Sequence, residues 1–130
     1  MNFGRRGLVP DTGAGSWLLP RQIGLTEALR LLFTGDPLDA ERAKSVGYVL
    51  DVVEPDALPD AARALAEAAA QCSPFASART KRLVYDGLTG DLPDHLAATR
   101  TALAECFASA DHAEGVRAFL ERRAPVFTGQ

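Results

Sequence analysis

The sequence predicts a mainly α-helical protein with one or two short strands. Three observations carry this. Apolar residues recur at i, i+3, i+4 spacing through most of the chain, as in Leu25, Ala28, Leu29, Leu32 and Phe33. Paired start and stop residues bracket those runs, Ser73-Pro74 at one end and Gly35 or Gly47 at others. A single run, "YVLDVVE" from Tyr48 to Glu54, has the β-branched composition of a strand. The apolar fraction of 47% allows a packed core. Much of it is alanine, which favours closely spaced helices.

In chain order, Ser16 is placed to cap a short helix "WLLPRQIG", limited by Pro20 and Gly24. Thr26 opens "EALRLLF", which Gly35 closes, and Trp17 and Phe33 read as core anchors. Asp39 caps "AERAKSVG". "YVLDVVE" is apolar on both faces apart from Asp51, as in a strand covered on two sides. Its only candidate partner is "RGLVP". Beyond about Pro55, where the sharpest boundary falls, the chain reads as helical throughout. Asp56 begins "ALPDAARALAEAAAQC", Ser73 with Pro74 begins "PFASARTKRLVYDGL", and Asp91 begins "LPDHLAATRTALAECFAS". Asp111 with Glu114 resembles a capping box for "HAEGVRAFLERR", and Pro125 forbids its continuation. Two regions result, 1–55 and 56–130.

Several function classes are disfavoured. The net charge is −3, and no basic stripe marks a nucleic-acid surface. No apolar stretch approaches the ~18 residues of a membrane span, and "MNFGRRG" has no secretory apolar region. A cytoplasmic location is expected. Cys72 and Cys106 lack metal-ligand spacing and read as two buried free thiols. His95 and His112 have no second ligand at i+3 or i+4, so no metal site is expected.

Two places carry possible chemistry. In "GLVPDTGAGSWLLPR", Asp11 follows a proline and precedes a glycine-containing turn. A carboxylate fixed on such a bend either moves a proton beside a substrate or hydrogen-bonds its own turn. The "GAGS" lead into a helix reads as a flexible turn rather than a phosphate loop, because no Gly-Lys-Ser/Thr follows. In the tail "RRAPVF", Arg123 and Phe127 combine a cation with an aromatic ring. Such a pair can meet a phosphate and stack on a purine, or it can simply pin the last helix.

The segments "GLVPDTGAGSWLLPRQIG", "EALRLLFTGDPLDAERAKSVGYVLDVVE", "CSPFASARTKRLV" and "SADHAEGVRAFLERRAPVF" resemble, in order and spacing, the crotonase (enoyl-CoA hydratase/isomerase) superfamily from Phe3 to Phe127. The resemblance is to the C-terminal part only. It implies the rear of a ββα-spiral core over 1–55. Over 56–130 it implies the helical region through which members form trimers or hexamers and cover the acyl-CoA pocket. No segment resembles the loops whose backbone N–H groups form the family's oxyanion hole.

The resemblance implies an activity on acyl-CoA thioesters: proton transfer next to the thioester carbonyl, giving hydration, double-bond isomerisation or hydrolysis. The position of one hydratase glutamate falls on Phe3, which cannot carry a proton. Some members place an aspartate where Asp11 stands, which makes Asp11 the expected acid/base, although one extra residue separates it from Trp17. Arg123 and Phe127 are the implied contacts to the CoA adenine or phosphates. CoA enters as part of the substrate; no metal or redox cofactor is implied. The expected partners are the acyl-CoA and either further copies of the chain or a front-half crotonase. A non-catalytic helical association module, which oligomerises or docks on such a partner, is the alternative. A poorly folding relic, with apolar helix faces left bare, is a third reading.

Overall fold

The computed structural model describes residues 3–10 and 15–130, which form two compact units, Met1–Leu58 and Pro59–Gln130. Among the described residues there are seven α-helices and no strand.

The first unit holds three helices: α1 (Gly15–Ile23), α2 (Leu25–Thr34) and α3 (Ala40–Ser45). Only Gly24 separates α1 from α2, at φ 82 and ψ 157. That backbone region is essentially restricted to glycine, so the corner between the helices depends on its missing side chain. Gly35 adopts a left-handed conformation and donates its N–H to the Leu31 carbonyl, ending α2 where the sequence predicts. The Asp39 carboxylate caps α3 by accepting from the Arg42 N–H at 2.7 Å. The Glu27 carboxylate on α2 receives the guanidinium of Arg30 at 2.8 Å and that of Arg42 at 3.2 Å, tying α2 to α3.

The buried apolar set of this unit is small: Leu19, Ala28, Leu31 and Ala43. Trp17 and Phe33, expected as anchors, are 49% and 75% exposed. At about 100° per residue, Phe33 sits some 140° around α2 from the buried Ala28. The helical spacing predicts the helix correctly but the wrong centre for its buried face. Trp17 instead lies under the Arg21 guanidinium, 3.4 Å from the ring centre.

The strand expected at Tyr48–Glu54 is not formed. Tyr48 and Val49 turn back to donate to the Ala43 carbonyl, and Leu50 is 77% exposed. Asp51 accepts from Lys44 Nζ and from the Val52 N–H, which folds the segment locally. Residues 8–10 adopt no regular structure, and no other described segment offers a ladder of N–H and C=O groups. A β-prone run without a partner has no means of satisfying its backbone as a strand.

The second unit contains α4 (Leu58–Ala70, its first residue at the unit boundary), α5 (Pro74–Gly87), α6 (Leu92–Phe107) and α7 (Ala110–Glu121). Pro55–Ala57 forms a single 3-10 turn, so α4 begins two residues later than Asp56 suggests. The caps at Ser73 and Asp91 form as read from the sequence: each side chain accepts from the N–H three residues on, Ala76 and Asp94. Helices α5 and α6 pack as an antiparallel hairpin, with Arg79 bonded to Glu105 at 2.6 Å and the His95 ring lying on Gly87. α4 contains no buried residue. Cys72 is exposed and Cys106 half-buried, both as free thiols. Cys72 lies in the turn that follows α4, outside any packed face, so neither thiol is fully buried as expected.

The start of α7 departs from the expectation. Ser109 is its cap, accepting from the His112 N–H at 3.0 Å, and Asp111 turns inward. The helix ends on Arg122, at φ 55 and ψ 41. A left-handed backbone is costly for any residue with a Cβ. We expect Arg122→Gly to raise stability by about 1 kcal/mol, read as a higher urea midpoint at unchanged slope. A lower midpoint would show that the Arg122 side chain contributes more than its backbone costs.

Candidate functional site

The C-terminal tail reverses at Arg122 and runs back beside α7, held by two carboxylates one turn apart on that helix. The first is Glu114. Its Oε1 accepts from Arg123 Nη1 at 2.5 Å and from the Val126 N–H at 2.9 Å, and its Oε2 accepts from Arg123 Nη2 at 3.0 Å. The second is Asp111, only 2% exposed. Its Oδ1 accepts from the N–H groups of Thr128 and Gly129 at 2.7 and 3.0 Å, and its Oδ2 accepts from the Ser73 hydroxyl at 2.6 Å. The Asp111 N–H donates to the Gln130 carbonyl at 2.9 Å. Ser73 caps α5, so one carboxylate joins the starts of two helices to the end of the chain.

These contacts set the charge states. The Arg123 guanidinium and the Val126 N–H, working against burial, lower the Glu114 carboxyl from 4.5 to about 2. Burial alone would raise Asp111. The Ser73 hydroxyl and the amides of Thr128, Gly129 and Phe75 outweigh it, so its pKa is lowered. Arg123 is correspondingly held protonated by Glu114 and Glu121. With both oxygens occupied by donors, Asp111 is a fastening point and not a free base.

The tail places Phe127 on α7. A Cβ on Gly115 would lie 3.6 Å from a Phe127 ring carbon, so the ring rests within van der Waals reach of this turn of α7. Beside it opens a groove of about 410 Å³, lined by Ser73, Cys106, His112, Val116, Phe119 and Phe127 among others. The His112 ring stands edge-on to Phe107, with centroids 5.1 Å apart. The lining is mostly apolar, which suits a hydrocarbon or aromatic group. In the first unit, a smaller cavity of about 250 Å³ lies among Leu19, Leu31, Asp36, Leu38 and Tyr48.

Of the residues singled out from the sequence, Phe127 lines the groove. Arg123 is on the same tail, with its guanidinium turned to Glu114 and to Glu121, whose Oε2 accepts from Nε at 2.6 Å. Asp11 lies outside the described residues. Among the described residues no cluster of His, Cys, Asp or Glu could hold a metal ion, and no helix is long and apolar enough to cross a membrane. The sequence reading missed Asp111, Glu114 and Ser73 as tail anchors, because each also fits a local helix-start role. The available signal was the pair of acids at i and i+3 followed by a tail that proline and glycine keep non-helical.

Comparison with known proteins extends over the whole chain. The profile of the family described as "Enoyl-CoA hydratase/isomerase" matches residues 1–130. The chain is 38% identical over 130 residues to the 1,2-epoxyphenylacetyl-CoA isomerase of Escherichia coli K12, covering 100% of this chain and 49% of that one. It is 38% identical to a probable enoyl-CoA hydratase of Rhodobacter capsulatus, covering 98% of this chain and 49% of that protein. Among solved structures, the enoyl-CoA hydratase EchA1 of Mycobacterium marinum superimposes with a TM-score of 0.92 at 40% identity, over 100% of this chain and 51% of its own. The chain thus spans about half the length of the relatives it matches. A match of this extent in both sequence and structure shows that the chain belongs to the enoyl-CoA hydratase/isomerase, or crotonase, family.

Proposed function

We propose that this chain is the C-terminal portion of a cytoplasmic crotonase acting on an acyl-CoA thioester. The observation that carries the reading is the end-to-end match to enoyl-CoA hydratases, at TM-score 0.92 and 40% identity, over half of their fold. The reaction class is proton transfer next to the thioester carbonyl, giving hydration, isomerisation or hydrolysis. Asp11 is the proposed acid/base, and Arg123 and Phe127 the contacts to the nucleotide end of CoA. The amides that polarise the carbonyl belong to the portion of the fold this chain does not span. In this reading residues 1–55 complete a catalytic core, and residues 56–130 cover the CoA pocket and join subunits into a trimer or hexamer.

The expected result is that the purified 130-residue chain does not hydrate crotonyl-CoA, followed by loss of the enoyl thioester absorbance. An oxyanion-hole donor contributes about 10²–10³-fold each to such reactions. Measurable turnover that Asp11→Asn abolishes would overturn the proposal that the chain is inactive alone.

A second reading, the non-catalytic association module, is favoured by one specific observation. α4 buries none of its residues, and Phe119 and Leu120 on α7 are 82% and 74% exposed. Bare apolar helix faces of this kind mark surfaces that meet another protein. Sedimentation distinguishes the readings: a trimer whose melting is unaffected by CoA supports the module, and a CoA-dependent rise in melting temperature supports a CoA site.

A further inference from the structure

We propose that the C-terminal tail is a strap with one fixed end and one releasable end, and that Glu114 is an internal competitor which an anionic ligand must displace from Arg123. This rests on the reading that Arg123 meets a phosphate of CoA.

The two ends are built differently. At the fixed end, Asp111 is buried and its partners are the Ser73 hydroxyl and the backbone N–H groups of Thr128 and Gly129. Among the described residues no cation takes part, and the carboxylate is buried, so an incoming anion finds only neutral donors already shielded from it. At the other end the fastening is an ion pair between partly exposed groups, with 37% of the Arg123 side chain and 16% of the Glu114 side chain accessible.

An arginine has five N–H donors. Four from Arg123 are committed: two to Glu114, one to Glu121 and one to the Ala124 carbonyl, the last at 3.1 Å. A phosphate therefore cannot take a forked contact on this guanidinium while Glu114 and Glu121 both keep theirs. Carboxylate and phosphate use the same planar fork, and a phosphate carries more charge. Exchange between them is a competition between similar geometries, decided by the ligand's charge and concentration.

Release has a defined consequence. Glu114 Oε1 also accepts from the Val126 N–H, so freeing Arg123 removes the ion pair among the contacts that hold residues 123–126 to Glu114 and leaves the Val126 bond to hold that stretch alone. Thr128 and Gly129 stay on Asp111. Phe127 lies between the two ends and is the residue whose seat on Gly115 changes.

The test is titration of coenzyme A into the full chain and into Arg123→Ala, Glu114→Gln and Glu121→Gln, with amide exchange measured at Val126, Thr128 and Gly129. Glu114→Gln and Glu121→Gln should each bind CoA more tightly, Glu114→Gln by about fivefold or more. Arg123→Ala should bind it more weakly. CoA should accelerate exchange at Val126 and leave Gly129 protected. Glu121→Gln keeps the Val126 bond, so it tests competition even where Glu114→Gln loosens the fold. Arg123-dependent binding that neither carboxamide tightens would overturn the competitor while leaving the phosphate reading in place. Equal binding by Arg123→Ala, or no binding by any variant, would overturn the phosphate reading itself.

Discussion

Replacing Asp111 with alanine is expected to lower the melting temperature of the C-terminal unit by about 10 °C or more and to free the tail. The side chain is 2% exposed, and it satisfies the Ser73 hydroxyl and the N–H groups of Thr128 and Gly129. Removing it strands three donors and opens a void where a charged group had been fully solvated by the protein. Ser73 retains its bond to Ala76, so α5 keeps its cap. The loss should therefore appear first as rapid amide exchange at Thr128 and Gly129 and only then as loss of helix. Asp111→Asn keeps one acceptor but turns an N–H₂ toward existing donors, so it should fall between wild type and alanine. Unchanged melting in both variants would show that the tail is held by other contacts.

The same carboxylates set a pH dependence. Glu114 falls from 4.5 to about 2 in the folded chain, and Asp111 is also lowered from its ordinary 3.8. A group whose folded pKa is depressed contributes stability that is complete above its unfolded value and is lost as pH falls through the folded one. Tail anchoring should thus be intact at neutral pH, begin to erode below about pH 4.5, and be lost from Glu114 near pH 2.

Leu31→Ala is expected to destabilise the first unit by about 3 kcal/mol, whereas Phe33→Ala should change it by less than about 0.5 kcal/mol. The two residues sit two positions apart on α2 with opposite environments, Leu31 6% and Phe33 75% exposed. Among the described residues of that unit, the other buried apolar side chains are Leu19, Ala28 and Ala43. Losing the Leu31 side chain removes one of two large groups and leaves a cavity that two alanines cannot fill. Urea denaturation followed by circular dichroism measures both. A larger loss for Phe33→Ala would mean that this face of α2 is covered in solution, as expected if the association reading holds.

The places where sequence reading succeeded share a cause. Ser73, Asp39 and Asp91 form their caps, and Gly35 ends its helix. Each depends on bonds to backbone atoms within about four residues, so the information lies beside the residue that uses it. The places where it failed depend on distant groups. "YVLDVVE" has a strand's composition, but no described segment pairs with it. Asp111 suits a helix start locally, yet Ser73 and Gly129, 38 and 18 residues away, draw it inward. In the tail, Arg123 and Phe127 stood out in the sequence as a cation and an aromatic. Their fastening to Glu114 and Gly115 did not.

The sequence by itself determined that the chain is helical, where most helices begin and end, and which family it belongs to. Those properties follow from short-range hydrogen bonding and from the order of its motifs. Only the tertiary structure decided which faces are buried, that the tail doubles back on α7, and that two carboxylates hold it there. The physical reason is that burial and long-range hydrogen bonds depend on which distant atoms arrive at the same place.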